Sequence, residues 1–228
     1  MKVIERTRSL YNEVDVWETD TGIDFEVAGG THATWDRHRI LTDYAWDAIT
    51  AAALLRESAP PRSMLMLGLG GGTAVRQLKY FVPHMQVTAV EIDADMVDLA
   101  RRYMGLDDLN INVVVDDAYR YIETCEESFD AVIDDVYLGG ASDVFRPQAH
   151  DDALMEQLRS RLKPGGILLA NLVTGSGHRR VQSRVRRAFK RHFDQVRRVR
   201  PPKGFNETLV AGPTAPPSRL KEFEAKLT

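Results

Sequence analysis

The chain has 228 residues, 43% of them hydrophobic and 28% charged, with a formal net charge of −3 and one cysteine, Cys125. That length holds a full core without covalent staples, and a lone cysteine excludes a disulfide framework and suits a reducing, cytoplasmic compartment. No apolar run nears the ~20 residues of a membrane span, and the opening MKVIERTRSLY lacks the apolar stretch of a secretion signal.

The predicted elements follow in chain order. Val14, Val16, Ile23, Phe25 and Val27 alternate with polar residues around Asp20-Thr21-Gly22, which predicts a β-hairpin over 9–30 closed by Gly29-Gly30. Ile40, Leu41, Tyr44, Ile49 and Ala52 repeat at helical spacing and predict a helix over 38–57, stopped by Pro60-Pro61. The rhythm then becomes strand, helix, strand. Strands are predicted at 64–67, 87–90, 111–115, 131–133 and 167–172. Helices are predicted at 74–81, 95–103 with Asp93 as N-cap, 119–125, 151–162 and 181–192. A strand pair at 195–199 and 207–211 and a tail helix at 218–227 close the chain. Short apolar strands alternating with helices give an α/β fold with a mostly parallel sheet covered on both faces. The domain reading is an N-terminal β-hairpin extension over 1–35 and a Rossmann-like domain over 36–228.

Charge is uneven. Residues 178–203 hold 11 Lys/Arg against one acid, Asp194. This reads as a solvated helix followed by a charged edge strand. A patch for an acidic partner is the alternative, and with only Phe189 and Phe193 to stack bases the reading goes against nucleic acid.

Chemistry gathers where strands end. Gly68-Leu69-Gly70-Gly71-Gly72-Thr73 follows a strand and opens a helix, so it offers a tight turn, close backbone approach and free N–H groups at a helix start. Glu91, 23 residues after Gly68, ends the next strand, where a carboxylate can accept from both ribose hydroxyls. Asp117 ends the third strand and can accept from an adenine amine; its alternative role is the N-cap of the next helix. Ile92 and Ala118, adjacent to these acids, are counted with them as cofactor-binding residues. Asp134-Asp135-Val136-Tyr137 ends the fourth strand, facing the reacting end of a ligand; a carboxylate there can stabilise a sulfonium or deprotonate an amine. These motifs specify an adenosine-type ligand without separating a nicotinamide cofactor from S-adenosylmethionine. No metal-ligand spacing is present, and no metal is expected.

Five pieces, LMLGLGGGTAVRQLKYF, VTAVEIDADMVDLARRYMG, INVVVDDAYRYI, FDAVIDDVY and LKPGGILLANL, resemble the spermidine synthase-like branch of the class I S-adenosylmethionine-dependent methyltransferases. Ser9-Leu10-Tyr11-Asn12 is similar to a Ser-x-Tyr-Gln of that family. The resemblance implies a seven-stranded sheet with the last strand antiparallel, and S-adenosylmethionine or its decarboxylated form as cofactor. It implies Glu91 on the ribose, Asp117 on the adenine and Asp135 at the reaction centre. It also implies polyamine biosynthesis as the family's setting and a homodimer through the hairpin region.

Three departures carry weight. The family's first turn reads Gly-Gly-Gly-Asp-Gly, and Gly71 stands where its aspartate pairs with the amine of the decarboxylated donor. An aspartate there would repel the carboxylate of the intact donor by about 4 kcal/mol at ~4 Å and an effective dielectric of ~20. The reaction loop reads Asp-Ser-Ser-Asp, and Leu138 replaces its second acid. Asn12 replaces the glutamine. These changes predict a methyltransferase acting on a small-molecule acceptor, with Asp135 as the catalytic residue and Tyr137 assisting. The alternatives are an aminopropyltransferase using the decarboxylated donor, a non-catalytic nucleoside-binding relative and a nicotinamide dehydrogenase. Tyr44, Trp46, Trp35, Asp36, His38 and His150 are candidate acceptor contacts beneath a lid over 137–150.

Overall fold

Strand β5 (Ser63–Leu67) shows why the sheet is covered on both faces: Met64 and Met66 enter one core, Leu65 and Leu67 the other, and all are buried. A computed structural model describes residues 1–140 and 143–227. Four strands precede β5: β1 (Lys2–Arg8), β2 (Glu13–Glu18), β3 (Gly22–Val27) and β4 (Gly30–Asp36). After it come β6 (Gln86–Glu91), β7 (Asn112–Val115), β8 (Phe129–Asp134), the short ribbon β9 (Leu138–Gly139) and β10 (Val144–Phe145), then β11 (Leu162–Val173), β12 (Val196–Val199) and β13 (Asn206–Ala211). The helices are α1 (Ala45–Leu54), α2 (Thr73–Phe81), α3 (Ala94–Met104), α4 (Ala118–Thr124), α5 (Asp152–Ser160), α6 (Arg179–His192) and α7 (Lys221–Glu224).

The central sheet runs β12-β13-β11-β8-β5-β6-β7. Pairs from β11 through β7 are parallel, and β13 runs antiparallel to both neighbours. The chain winds outward from β5 to β7 and then returns to place β8 on the other side of β5. Strand order therefore reverses between β5 and β8, and a crevice opens at their carboxyl ends. One face carries α1, α2 and α3; the other carries α4, α5 and α6. Among the described residues no helix is long and apolar enough to cross a membrane.

The N-terminal segment is larger than a hairpin. Strands β2 and β3 form the expected pair, but Gly29 (φ 75°) and Ala28 (φ 50°) turn the chain into β4, and β1 adds to the far side, giving a four-stranded antiparallel sheet. Strand β1 carries no apolar alternation to announce it. This sheet rests on the start of α2 and on α3: Thr73 Oγ1 donates to Thr34 O and accepts from Thr34 N, both at 2.9 Å, and Glu5 meets Arg102 and Tyr103.

Other bounds shift for local reasons. Helix α1 begins at Ala45 rather than 38, because Asp47 accepts hydrogen bonds from Thr42 and Asp43 and holds 42–44 in a loop with Asp43 at φ 70°. Strand β11 begins before the Pro164-Gly165-Gly166 stop, with its register to β8 broken between Leu162 and Ile167. The tail is a 3-10 turn followed by the four-residue α7 rather than a ten-residue helix. The basic segment forms α6 and edge strand β12. Helix α6 buries Val185, Ala188 and Phe189, while Arg186 pairs with buried Glu207 at 2.7 Å.

Candidate active site

The glycine turn leaves β5 at the point of reversal. Gly68 takes φ +82°, and a Cβ on it would lie 2.5 Å from the carbonyl oxygen of Asp135, so the first turn and the end of β8 touch through bare backbone. Asp135 N donates to Leu67 O at 2.8 Å. A cleft of about 730 Å³ opens above this contact. Of the residues expected from the sequence, Gly68, Gly70, Glu91, Ile92, Asp117, Ala118, Asp135 and Tyr137 all line it.

Gly71 does not. A Cβ there would meet Ala33 Cβ at 2.4 Å and Met104 Sδ at 2.5 Å, so its missing side chain makes room for the N-terminal sheet rather than for a ligand. The N–H groups of Leu69 and Gly70 are not free either. Glu91 reaches back from β6, and its Oε2 accepts from Leu69 N and Gly70 N, both at 2.9 Å, while Oε1 accepts from Asp93 N at 3.1 Å. Burial pushes the Glu91 carboxyl above its ordinary pKa, against the pull of these three N–H groups. Asp93 caps α3 as expected. Its Oδ2 also accepts from Ser9 Oγ at 2.6 Å and Asn12 Nδ2 at 2.7 Å, so the Ser9–Asn12 motif fastens the N-terminal sheet to the rim of the site.

Asp117 has the capping role weighed for it, and it also faces the cleft. Its Oδ1 accepts from Tyr119 N and Arg120 N and caps α4, while the residue lines the cleft. A carboxylate has about four lone-pair sites, so Asp117 and Glu91 both keep acceptor capacity. The pair fits the hydroxyls and amine of an adenosine.

At the end of β8 two adjacent acids are driven apart. Asp134 is fully buried; burial opposes its ionisation, yet the charge of Arg146, 2.6 Å away, and the imidazole of His150, 2.7 Å away, hold it well below the usual carboxylate range. Asp135 faces the cleft, and burial pushes its carboxyl up to about 7. The Asn171 hydrogen bond and the Arg146 charge resist that rise, while Asp134 and Glu91 add to it. Asn171 Nδ2 donates to Asp135 Oδ1 at 2.8 Å. Tyr137 contributes its ring: its hydroxyl donates to Asn171 O and accepts from Val173 N, both at 3.1 Å, and is engaged with the backbone of β11.

Asn171, Arg146 and His32 were not foreseen. Asn171 is a polar residue in the buried run of β11, a detectable signal; the other two carry none in the sequence. His32 lines the cleft from β4, and burial pushes its imidazole down to about 4, so it is neutral. Among the acceptor candidates, Tyr44, Trp46 and Asp36 line the cleft, whereas His150 is buried against Asp134 and Trp35 sits between Arg37 and Arg76. Of the expected lid, 141–142 lie outside the described residues. No metal-ligating cluster of His, Cys, Asp and Glu occurs among the described residues.

A model of the spermine/spermidine synthase domain matches residues 47–200, more than half of the chain. The chain belongs to the spermine/spermidine synthase family. A probable polyamine aminopropyl transferase of Bifidobacterium longum is 30% identical over 72% of this chain and 36% of its own length. An eEF1A lysine and N-terminal methyltransferase homolog of Drosophila pseudoobscura is 35% identical over 49% of this chain and 18% of its own. The chain thus spans about a third or less of these two relatives. The crystal structure of spermidine synthase from Thermotoga maritima superposes with a TM-score of 0.76, covering 99% of this chain and 80% of that one at 17% identity, which is a likeness of fold. The family's Rossmann-like sheet, with one reversed strand, is the sheet found here.

Proposed function

We propose that the chain is a transferase moving an aminopropyl group from decarboxylated S-adenosylmethionine to an amine. The charge of the cleft carries this reading. Its lining holds six acidic side chains, Asp24, Asp36, Asp117 and Asp143 together with Glu91 and Asp135, whose carboxyls burial pushes up, against one cationic side chain, Arg39. A sulfonium donor with a free ammonium and a polyamine acceptor are both cations that such a lining attracts. The carboxylate of the intact donor is what it disfavours. The Bifidobacterium longum relative, named as a probable polyamine aminopropyl transferase, points the same way, against the methyl transfer expected from the residues alone.

In this reading Glu91 and Asp117 bind the adenosine, and the donor supplies an activated carbon next to its sulfonium. Asp135, titrating near 7, is matched to removing a proton from an ammonium nucleophile, and the amine nitrogen then displaces the thioether. The rest is positioning.

Methyl transfer is the second reading. It is favoured by Leu138 in place of an acid and by the methyltransferase relative. One assay separates them. Release of methylthioadenosine from the decarboxylated donor with putrescine or a longer polyamine supports aminopropyl transfer; release of S-adenosylhomocysteine from the intact donor, with no methylthioadenosine, refutes it.

A further inference from the structure

We propose that Arg146 is the positioning residue of this site, a strut that sets the orientation of Asp135 through Asn171 and Asp134. The inference rests on the assignment of Asp135 as the base. Arg146 follows β10, yet its side chain is 1% exposed and reaches inward under the reaction centre. One nitrogen, Nη1, donates to Asp134 Oδ1 at 2.6 Å; the other, Nη2, donates to Asn171 O at 2.6 Å. The guanidinium carbon lies 4.7 Å from the centre of the Tyr137 ring, whose hydroxyl donates to the same Asn171 carbonyl. Arg146 therefore touches the neighbour of Asp135 in sequence and the residue that hydrogen-bonds Asp135 in space.

Asn171 is fixed at every polar atom of its side chain. Its Nδ2 gives the one side-chain hydrogen bond that Asp135 accepts among the described residues, and its Oδ1 accepts from Asn206 Nδ2 at 3.2 Å. Asp135 and Asn206 hold the side-chain amide of Asn171, while Arg146 and Tyr137 hold its backbone carbonyl, so Arg146 fixes the stretch of main chain from which the amide that meets Asp135 projects. A guanidinium presents two parallel N–H vectors in one plane, which lysine lacks.

Stability alone does not account for the residue. Replacing a buried ion pair by apolar side chains is often neutral or stabilising, and the Nε of Arg146 is buried without a hydrogen-bond partner among the described residues. A group placed only to fill the core would be satisfied or apolar. The charged and titratable groups around Asp135 are Glu91 from β6, Asp134 from β8, Tyr137 beyond it and Arg146; Arg146 is the sole cation among them.

The test uses the full chain labelled with 13C at aspartate carboxyls, the Asp135 signal being assigned by its loss in Asp135→Asn. Three readouts are followed in the parent, Arg146→Met and Arg146→Lys: the pH midpoint of that signal, methylthioadenosine binding by calorimetry, and kcat. We expect Arg146→Met to raise the midpoint, lower kcat about 100-fold and leave methylthioadenosine affinity within about twofold. Arg146→Lys is expected to restore the midpoint but not kcat, because one ammonium does not reach both acceptors. An unmoved midpoint and kcat in folded Arg146→Met would overturn the proposal, as would full rescue by lysine, which would reduce Arg146 to a point charge. If the methionine variant does not fold, the lysine variant decides by the same criteria. If the parent binds no methylthioadenosine and turns nothing over, the function proposed above fails. The Asp135 midpoint and the Asn171 side-chain amide signal then still decide whether Arg146 governs that carboxylate.

Discussion

Replacing Asp135 with asparagine should make the protein more stable at pH 8 and less active. The native chain holds a proton on Asp135 up to about pH 7, whereas an unfolded chain gives it up near 3.8. The folded state binds more protons across that window, so stability falls as pH rises through it. At 1.36 kcal/mol per pH unit the whole interval corresponds to about 4 kcal/mol. Solvent reaching the carboxyl through the open cleft trims this to about 2–4 kcal/mol. The asparagine side chain has the same shape, its carbonyl still accepts from Asn171 Nδ2, and it has no charge to desolvate. Urea unfolding of both proteins should show a difference near zero at pH 4 that grows to ~2–4 kcal/mol in favour of Asp135→Asn at pH 8, while turnover drops ~10²–10⁴-fold. A difference that is flat with pH, or that favours the parent at pH 8, would refute the claim that the fold holds this carboxyl against its preference for water.

Three further outcomes are expected. Gly68→Ala should lose about 2–5 kcal/mol, from the left-handed φ and the backbone overlap with Asp135, and should weaken ligand binding; Gly177→Ala, with nothing within 4 Å of the new methyl, should stay within ~0.5 kcal/mol by thermal unfolding. Asp134→Asn leaves Arg146 buried without its counter-charge and should cost about 3–5 kcal/mol at pH 7. Because Asp134 titrates below its unfolded value, the parent's advantage should shrink as pH falls below 3.8, read by denaturation at pH 3 and 7. Asn12→Leu removes the bonds to Asp93 and to Gly139 N, at 2.7 and 3.1 Å; about 1–2 kcal/mol of stability should go, and hydrogen exchange at the Gly139 amide should accelerate.

The sheet was legible because its strands are short, apolar and punctuated by glycine and acid. Strand-end acids mark a switch point by spacing alone, so Glu91, Asp117 and Asp135 could be named before any coordinates. Strand β1 was illegible for the opposite reason. Its alternate residues are only half-buried, and its contacts are ion pairs such as Glu5 with Arg102, which leave no period-two apolar trace. Gly71 was misassigned because sequence shows that a side chain is missing but not which neighbour fills the space. Arg146 was overlooked because a single arginine in a polar loop looks solvated; only the fold turns it inward. Tyr137 faces the cleft, but the partner of its hydroxyl, the backbone of β11, depends on a strand 34 residues away in sequence.

The grip of Glu91 on the amides of Leu69 and Gly70 has a consequence for what the crevice turns away. In nucleotide-binding sheets of this general plan, amides at such a turn are the seat of a phosphate. Here an internal carboxylate already sits in that seat and brings its own negative charge. A pyrophosphate bridge or a 5′-phosphate arriving at the turn would find the amides of Leu69 and Gly70 taken and a like charge facing it. On the function proposed above, the carboxylate that meets the sugar also disfavours phosphorylated nucleotides and dinucleotides, and the crevice favours nucleosides whose 5′ end is neutral or positive.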